Sequence, residues 1–303
     1  MRIATTQYQS TMNQSLQNNQ ERITFLTQQL ATNKRIQVPS DDPVDSVRLA
    51  RLAREEAAVK QYRDNIAAIQ VRLRKAEGYL SNMTTEMIAG RDTMVWASEG
   101  SNSPDDLKAM APPLESLRES LFYTANTIDE EGNYLFSGTL SKTAPMQYNP
   151  TAPVGTRYTY VGNTNSQSVV VGNGVTQAGN ENLKGLEKLL NQLDASIETL
   201  QSPGASPNDP AVRAVLSANL TGFDDALNLV SGKIATLGGA QNIIKTIDAN
   251  HANISLSNKM AITDIGALDV GEAATALNGY STALQATYKA YSRIGTLSLF
   301  SVL

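Results

Sequence analysis

"VKQYRDNIAAIQVRLRKAEGYLSNMTTEMIAGRDTM", Val59 to Met94, places Val59, Tyr62, Ile66, Ile69, Leu73, Ala76, Leu80, Met83, Met87, Gly90 and Met94 at alternating steps of three and four. Such steps keep one stripe of an α-helix turned toward a partner, and about five heptads of it indicate helices packed in coiled-coil fashion. At 1.5 Å per residue the helix extends on the order of 50 Å. The stretch therefore predicts a mainly α fold, an elongated coiled-coil-like bundle built from the N- and C-terminal halves.

The stripe recurs in Leu107, Met110, Leu114, Leu117, Leu121 and Ile128, in Leu183, Leu186, Leu190, Leu193, Ile197 and Leu200, and in Leu216, Leu220, Phe223, Leu227, Val230, Ile234 and Leu237. Helix boundaries follow from the breakers. Ser103-Pro104-Asp105-Asp106 supplies a polar cap and an early proline, while Pro112 and Pro113 are expected to reset the start of that helix or kink it. Pro203, Pro207 and Pro210 mark a turn between two helices. Both ends carry stripes as well: Met12, Leu16, Ile23, Leu26 and Leu30 with Asn19 in the seam, and Val270, Ala273, Leu277, Tyr280, Leu284, Tyr291 and Ile294 with Thr287. Residues 3 to 20 hold no charged side chain and many Gln and Asn, so an isolated helix there gains little. The ends are expected to be poorly ordered until assembled.

Residues 134 to 180 lose the heptad and turn rich in Tyr, Thr, Val and Gly. "TRYTYVG" and "SVVVG" read as a hairpin across Asn163-Thr164-Asn165, and Asn173-Gly174 marks another turn. A small β domain is thus inserted between helical halves, which places both termini at one end. The expected division is a terminal helical pair, 1–35 with 266–303, a helical bundle, 36–133 with 181–265, and the β insertion, 134–180.

Composition narrows the chemistry. A net charge of −4 gives no basic footprint for nucleic acid. Without cysteine, and with His251 as the one histidine, thiol chemistry is absent and most zinc arrangements fall away. The start lacks the basic and apolar segments of a cleaved signal, and no apolar run approaches a membrane span. "DEEGN", Asp129 to Asn133, lacks the alternating ligands of a calcium loop and reads as a helix end at Glu131 with Gly132 or Asn133 left-handed. "GNGVTQAG", Gly172 to Gly179, lacks a Walker lysine and reads as turn glycine. His251 reads as a solvated or seam residue, and Trp96 and the tyrosines as packing residues. Neither a metal nor a cofactor is predicted.

One corner remains: "TNKRIQVPSDDPVDS", Thr32 to Ser46. Asp41 and Asp42 form an acid pair, but adjacent residues in a capping segment point apart. Asp42 at the N-cap, Pro43 at N1 and Asp45 at N3 suit a helix start. Lys34 and Arg35 can then neutralise the acids, within the chain or on a neighbour.

The start "MRIATTQY", that corner, "EEGNYLFSGTLSKTAPM" and the end "ALQATYKAYSRIGTLSLF" together resemble the flagellin superfamily, within it the flagellin-like hook-associated junction branch. The resemblance spans the whole chain. Two positions depart from it: Asn33 stands where Gly is common, and Asn is the next best residue for a left-handed turn; Met146 stands where Phe is usual. What the resemblance implies is a structural adaptor, not an enzyme, exported without a cleaved signal peptide and placed outside the cell at the hook-filament junction. Its implied partners are another hook-associated junction protein, flagellin, further copies of itself in a ring, and a cytosolic export chaperone, with no nucleic acid and no membrane. Expected interface residues are Met12, Leu16, Ile23, Leu26, Leu30, Leu277, Leu284, Tyr291, Leu297, Leu299 and Phe300. Lys34, Arg35, Asp41, Asp42 and Pro43 are the expected corner contacts. A flagellin-type filament subunit is the alternative, and a wall-active enzyme using Asp41 and Asp42 a third.

Overall fold

The computed structural model describes residues 2–296, and side chains over 7–293. They form α1 (Arg2–Thr32), α2 (Pro43–Ala97), α3 (Pro104–Ala125), β1 (Met146–Tyr148), β2 (Tyr158–Tyr160), β3 (Ser168–Gly172), β4 (Val175–Ala178), α4 (Leu186–Gln201), α5 (Pro210–Gly266) and α6 (Val270–Thr296). The fold is mainly α with a small β portion, as the heptads predict. Contacts divide it into two units, Met1–Lys60 with Asn253–Leu303, and Gln61–Ala252.

In the unit Gln61–Ala252 the stripe of α2 is the spine of the core. From Ile66 to Met94 every stripe position is buried, and Tyr62 is half-buried. Gly90 sits in that stripe because nothing larger fits: a Cβ there would lie 2.1 Å from Leu117 Cδ2 and 3.0 Å from Phe223 Cζ. α5 runs antiparallel beside α2, as paired side chains show. Arg63 meets Asp248, Glu77 meets Gln241, and Arg91 meets Asp224. The leucines of α4 from Leu186 to Leu200 complete one continuous core with α3.

α3 starts where its cap predicts. Ser103 Oγ accepts from Asp106 N, and Ser103 N donates to the Asp106 carboxylate at 2.9 Å, a reciprocal capping pair. Pro112 and Pro113 lie inside a continuous helix and neither restart it nor end it. Both are exposed, as are Lys108 and Ala109, so water can reach the carbonyls that lose an amide partner there. The helix ends at Ala125, not at Glu131, and Ile128 is 52% exposed instead of continuing the stripe. Asp129 explains the correction: its carboxylate accepts from the Glu131 and Asn133 amides, folding 129–133 into a turn with Gly132 at φ +72°.

The strands also pair differently from the hairpin expected across 163–165. β2 pairs with β1, with Met146 opposite Tyr160, while β3 pairs with β4 around Asn173-Gly174, the turn that the sequence marks. Asn163 is the cause. Its side chain accepts from Thr139 N and its backbone N donates to Ser137 O, so the segment after β2 is drawn to 137–139 instead of turning back. Two asparagine side chains then complete β1-β2. Asn126 bonds both N and O of Met146, and Asn191 bonds both N and O of Tyr158. Leu135, Phe136 and Ser137 are buried beneath. Burial pushes the Tyr160 hydroxyl, which lies 3.1 Å from Phe136 O, up to about 12.

In the other unit α1 and α6 pack against each other. Lys34 and Ala267 form an antiparallel bridge where the chain leaves α1 and enters α6, so these helices run in opposite directions. Glu56 of α2 accepts from Ser255 and pairs with Lys259 on α5.

Candidate functional site

The corner is built around Arg35. Its backbone N donates to Gly266 O at 2.9 Å, and its side chain reaches Ile265 O through Nε at 3.3 Å and Nη2 at 3.2 Å. The same guanidinium pairs with Asp42 at 3.1 Å and Asp45 at 2.6 Å. One side chain thus ties the end of α5 to the start of α2, using the several donors that a guanidinium holds in a fixed plane. Asn33 makes this path possible by adopting φ +53°, the left-handed turn for which it is suited.

Both acids are committed to the backbone. Asp42 Oδ1 accepts from Asp45 N at 3.0 Å, the N-cap bond of α2, whose first residue is Pro43. That bond, followed by the Arg35 hydrogen bond, holds the Asp42 carboxyl below the ordinary carboxylate value. Asp41 Oδ2 accepts from Gln37 N at 2.8 Å and Val38 N at 3.0 Å, closing the preceding turn. The pair presents no shared proton site, as its adjacent positions predict. Lys34 takes its place through its backbone, bonded to Ala267 in the bridge and accepting from Gln37 Nε2 at 2.9 Å. Arg35, and not Lys34, makes the ion pairs with the acids.

The terminal stripes are placed but not sealed. Met12, Leu16, Ile23, Leu26 and Leu30 on α1, and Leu277 and Leu284 on α6, are each only half-buried, and Tyr291 is 42% exposed. Leu297, Leu299 and Phe300 lie outside the described residues. Val38, Val44, Val47, Leu256 and Met260 of the same unit are exposed as well. Apolar side chains are thus left open along this unit.

These features agree with proteins of known kind. Residues 3–141 match the bacterial flagellin N-terminal helical region. Over 290 residues the chain is 28% identical to flagellar hook-associated protein 3 of Escherichia coli K12, covering 91% of each, and it is 26% identical to the same-named protein of Salmonella typhimurium across 100% of this chain and 99% of the relative. A solved flagellar hook-associated protein from Vibrio parahaemolyticus is 32% identical with a TM-score of 0.68, covering 75% of this chain and 100% of that one. The chain belongs to the flagellar hook-associated protein family.

Within this hook-associated fold the remaining candidates take structural places. His251 stacks on Tyr62 with ring centroids 5.4 Å apart and holds Val171 O at 2.8 Å through Nε2, fastening the β3-β4 hairpin to α5. Several tyrosines do not pack, Tyr123 at 78% exposed and Tyr288 at 52% among them, and neither does Trp96, which is 61% exposed. Its position two residues past Met94 takes it off the buried stripe. Sequence reasoning missed Asp194, which is 2% exposed and receives Arg118 at 3.0 Å, Arg157 at 3.5 Å and Gly155 N at 3.2 Å. Its signal was hidden because an aspartate inside a leucine heptad reads as a solvent-facing residue until α3 and the 153–157 turn are placed against it.

Proposed function

We propose that this chain is a structural adaptor of the bacterial flagellum, joining the hook, through another hook-associated protein, to the flagellin filament. The observation that carries this reading is a match to hook-associated protein 3 that runs the length of both chains, which brings both terminal helices and the corner between them. The half-buried faces of α1 and α6 are the surfaces that neighbouring subunits would cover, among them further copies of this chain in a ring. Leu297, Leu299 and Phe300 belong to the same proposed surface. The parsing into a terminal pair, a bundle and a β insertion fits this assignment of roles. Export without a cleaved signal peptide, with a cytosolic chaperone on the C-terminal segment, is part of the proposal, as is completion of the terminal core on assembly.

The proposal includes no catalysis. Asp41 and Asp42 are spent on the Gln37, Val38 and Asp45 amides and on Arg35, which favours a joint over a reaction centre. The deciding experiment places fluorescently labelled chain in assembled flagella. A single band at the filament base is expected, whereas label along the filament would assign the chain to the flagellin role. An Asp41→Asn, Asp42→Asn chain tests the wall-enzyme reading: peptidoglycan turnover present in the native protein and absent in the variant would refute the adaptor.

A further inference from the structure

A cavity of about 310 Å³ lies in the unit Gln61–Ala252, between α2, the 129–131 turn and the β3-β4 hairpin. Ala68, Ile69, Val71 and Val169 give it an apolar wall, and Arg72 and Lys75 line it from the same helix. The wall is held in place by Asn65, which donates to Val170 O at 2.8 Å, and by Gln167, which accepts from Arg72 Nη1 at 3.3 Å.

Arg72 is the anomaly. Its Nε and Nη2 are buried, and neither has a hydrogen-bond partner among the described residues. A buried donor without an acceptor is costly, more so when it carries charge, so an acceptor supplied from outside would be bound with that cost relieved. The nearby acids do not meet the need. Asp129 spends its carboxylate on the Glu131 and Asn133 amides and the Asn133 side chain. Glu130 is 95% exposed and stands 3.9 Å from Lys75. The carboxylate of the third acid, Glu131, accepts from Asn133 Nδ2 at 3.3 Å. The cavity is lined by two cations and three carboxylates, of which Asp129 already lies in the field of Arg72, and what remains unspent is hydrogen-bond donation from Arg72. Unspent donors beside an apolar wall fit an acceptor-rich head on a short hydrocarbon stem, and a charged acceptor bonds a guanidinium most strongly.

We infer that this cavity binds a carboxylate carried on a short aliphatic stem, with Arg72 and Lys75 as its cationic partners. The carboxylate comes either from a free aliphatic acid or from an Asp or Glu side chain of a neighbouring chain. Glutarate is the probe for the shared chemistry, titrated onto the full chain at constant ionic strength while amide shifts are followed. Saturable shifts are expected over 68–75 and 167–169. They should weaken by about tenfold in Arg72→Gln, the worth of one charged hydrogen bond, and vanish in Ala68→Phe, which fills the cavity from an exposed helix position. Lys75→Gln should weaken binding if Arg72→Gln fails to fold.

Absence of saturable shifts, equal binding by Arg72→Gln or by Lys75→Gln, the same shifts with chloride, or binding of butylammonium in place of glutarate would each overturn the inference. The source is read separately, by incorporation of Arg72→Gln into flagella. A loss of incorporation without a change in thermal stability assigns the carboxylate to a neighbour; normal incorporation, with glutarate binding established, assigns it to a free acid. The glutarate arm does not depend on the flagellar reading, so the two can fail independently.

Discussion

Replacing Asp194 with Ala tests how the β portion is fastened to the bundle. Asp194 is 2% exposed on α4, and its carboxylate joins Arg118 of α3 to Arg157 and Gly155 N of the turn before β2. Removal leaves Arg118, whose side chain is only 17% exposed, as a charge without its carboxylate; its Nε already lacks an acceptor among the described residues. Breaking a buried pair from one side costs about 3–5 kcal/mol. For a cooperative unit of this size, at about 2–4 °C per kcal/mol, the melting temperature should fall by roughly 10 °C. Thermal melts followed by circular dichroism give the shift, and amide exchange at 155–160 shows whether the β2 edge opens first. Arg118→Met with Asp194→Leu should recover part of the loss, because a packed apolar pair replaces the most buried ion pair, while Arg157 and the Gly155 amide still lose their acceptor. A loss under about 1 kcal/mol for Asp194→Ala, within the range of a surface pair, would refute the reasoning. So would a double variant no more stable than the single.

Asn33→Ala should destabilise the corner by about 1–2 kcal/mol, since its φ of +53° is costly for a residue with an ordinary Cβ, while Asn33→Gly should melt within error of the native chain. Gly90→Val should cost about 1–3 kcal/mol by overpacking against Leu117 and Phe223; denaturant unfolding with an unchanged midpoint would contradict the packing assigned to it. Asp42 titrates below its ordinary value because of the Asp45 amide and Arg35, so its contribution to stability is complete above pH about 3.9 and is lost as the pH falls through the lowered folded value. Carboxyl shifts should report that titration, and Arg35→Gln should move it upward; an unmoved Asp42 curve would remove Arg35 from the account.

Sequence alone determined the elements whose information is local or periodic. The heptad from Val59 to Met94 specifies which face of α2 is buried, because a 3.5-residue repeat fixes direction around a helix regardless of what lies opposite. The N-cap at Asp42, the left-handed Asn33, the capping pair of Ser103 and Asp106, and the Asn173-Gly174 turn are likewise written in short segments, since each satisfies amides or dihedrals within a few residues. Tertiary structure decided the rest. β2 takes β1 as its partner because Asn163 is drawn to Ser137 and Thr139, remote positions that no local turn preference includes. Arg35 outranks Lys34 because the Ile265 and Gly266 carbonyls arrive from the far end of the chain. Asp194 becomes a buried tie, and the Nε and Nη2 of Arg72 become buried donors without an acceptor among the described residues, only once distant segments close over them. Periodicity and capping depend on neighbours along the chain, whereas a buried charge depends on which surfaces meet.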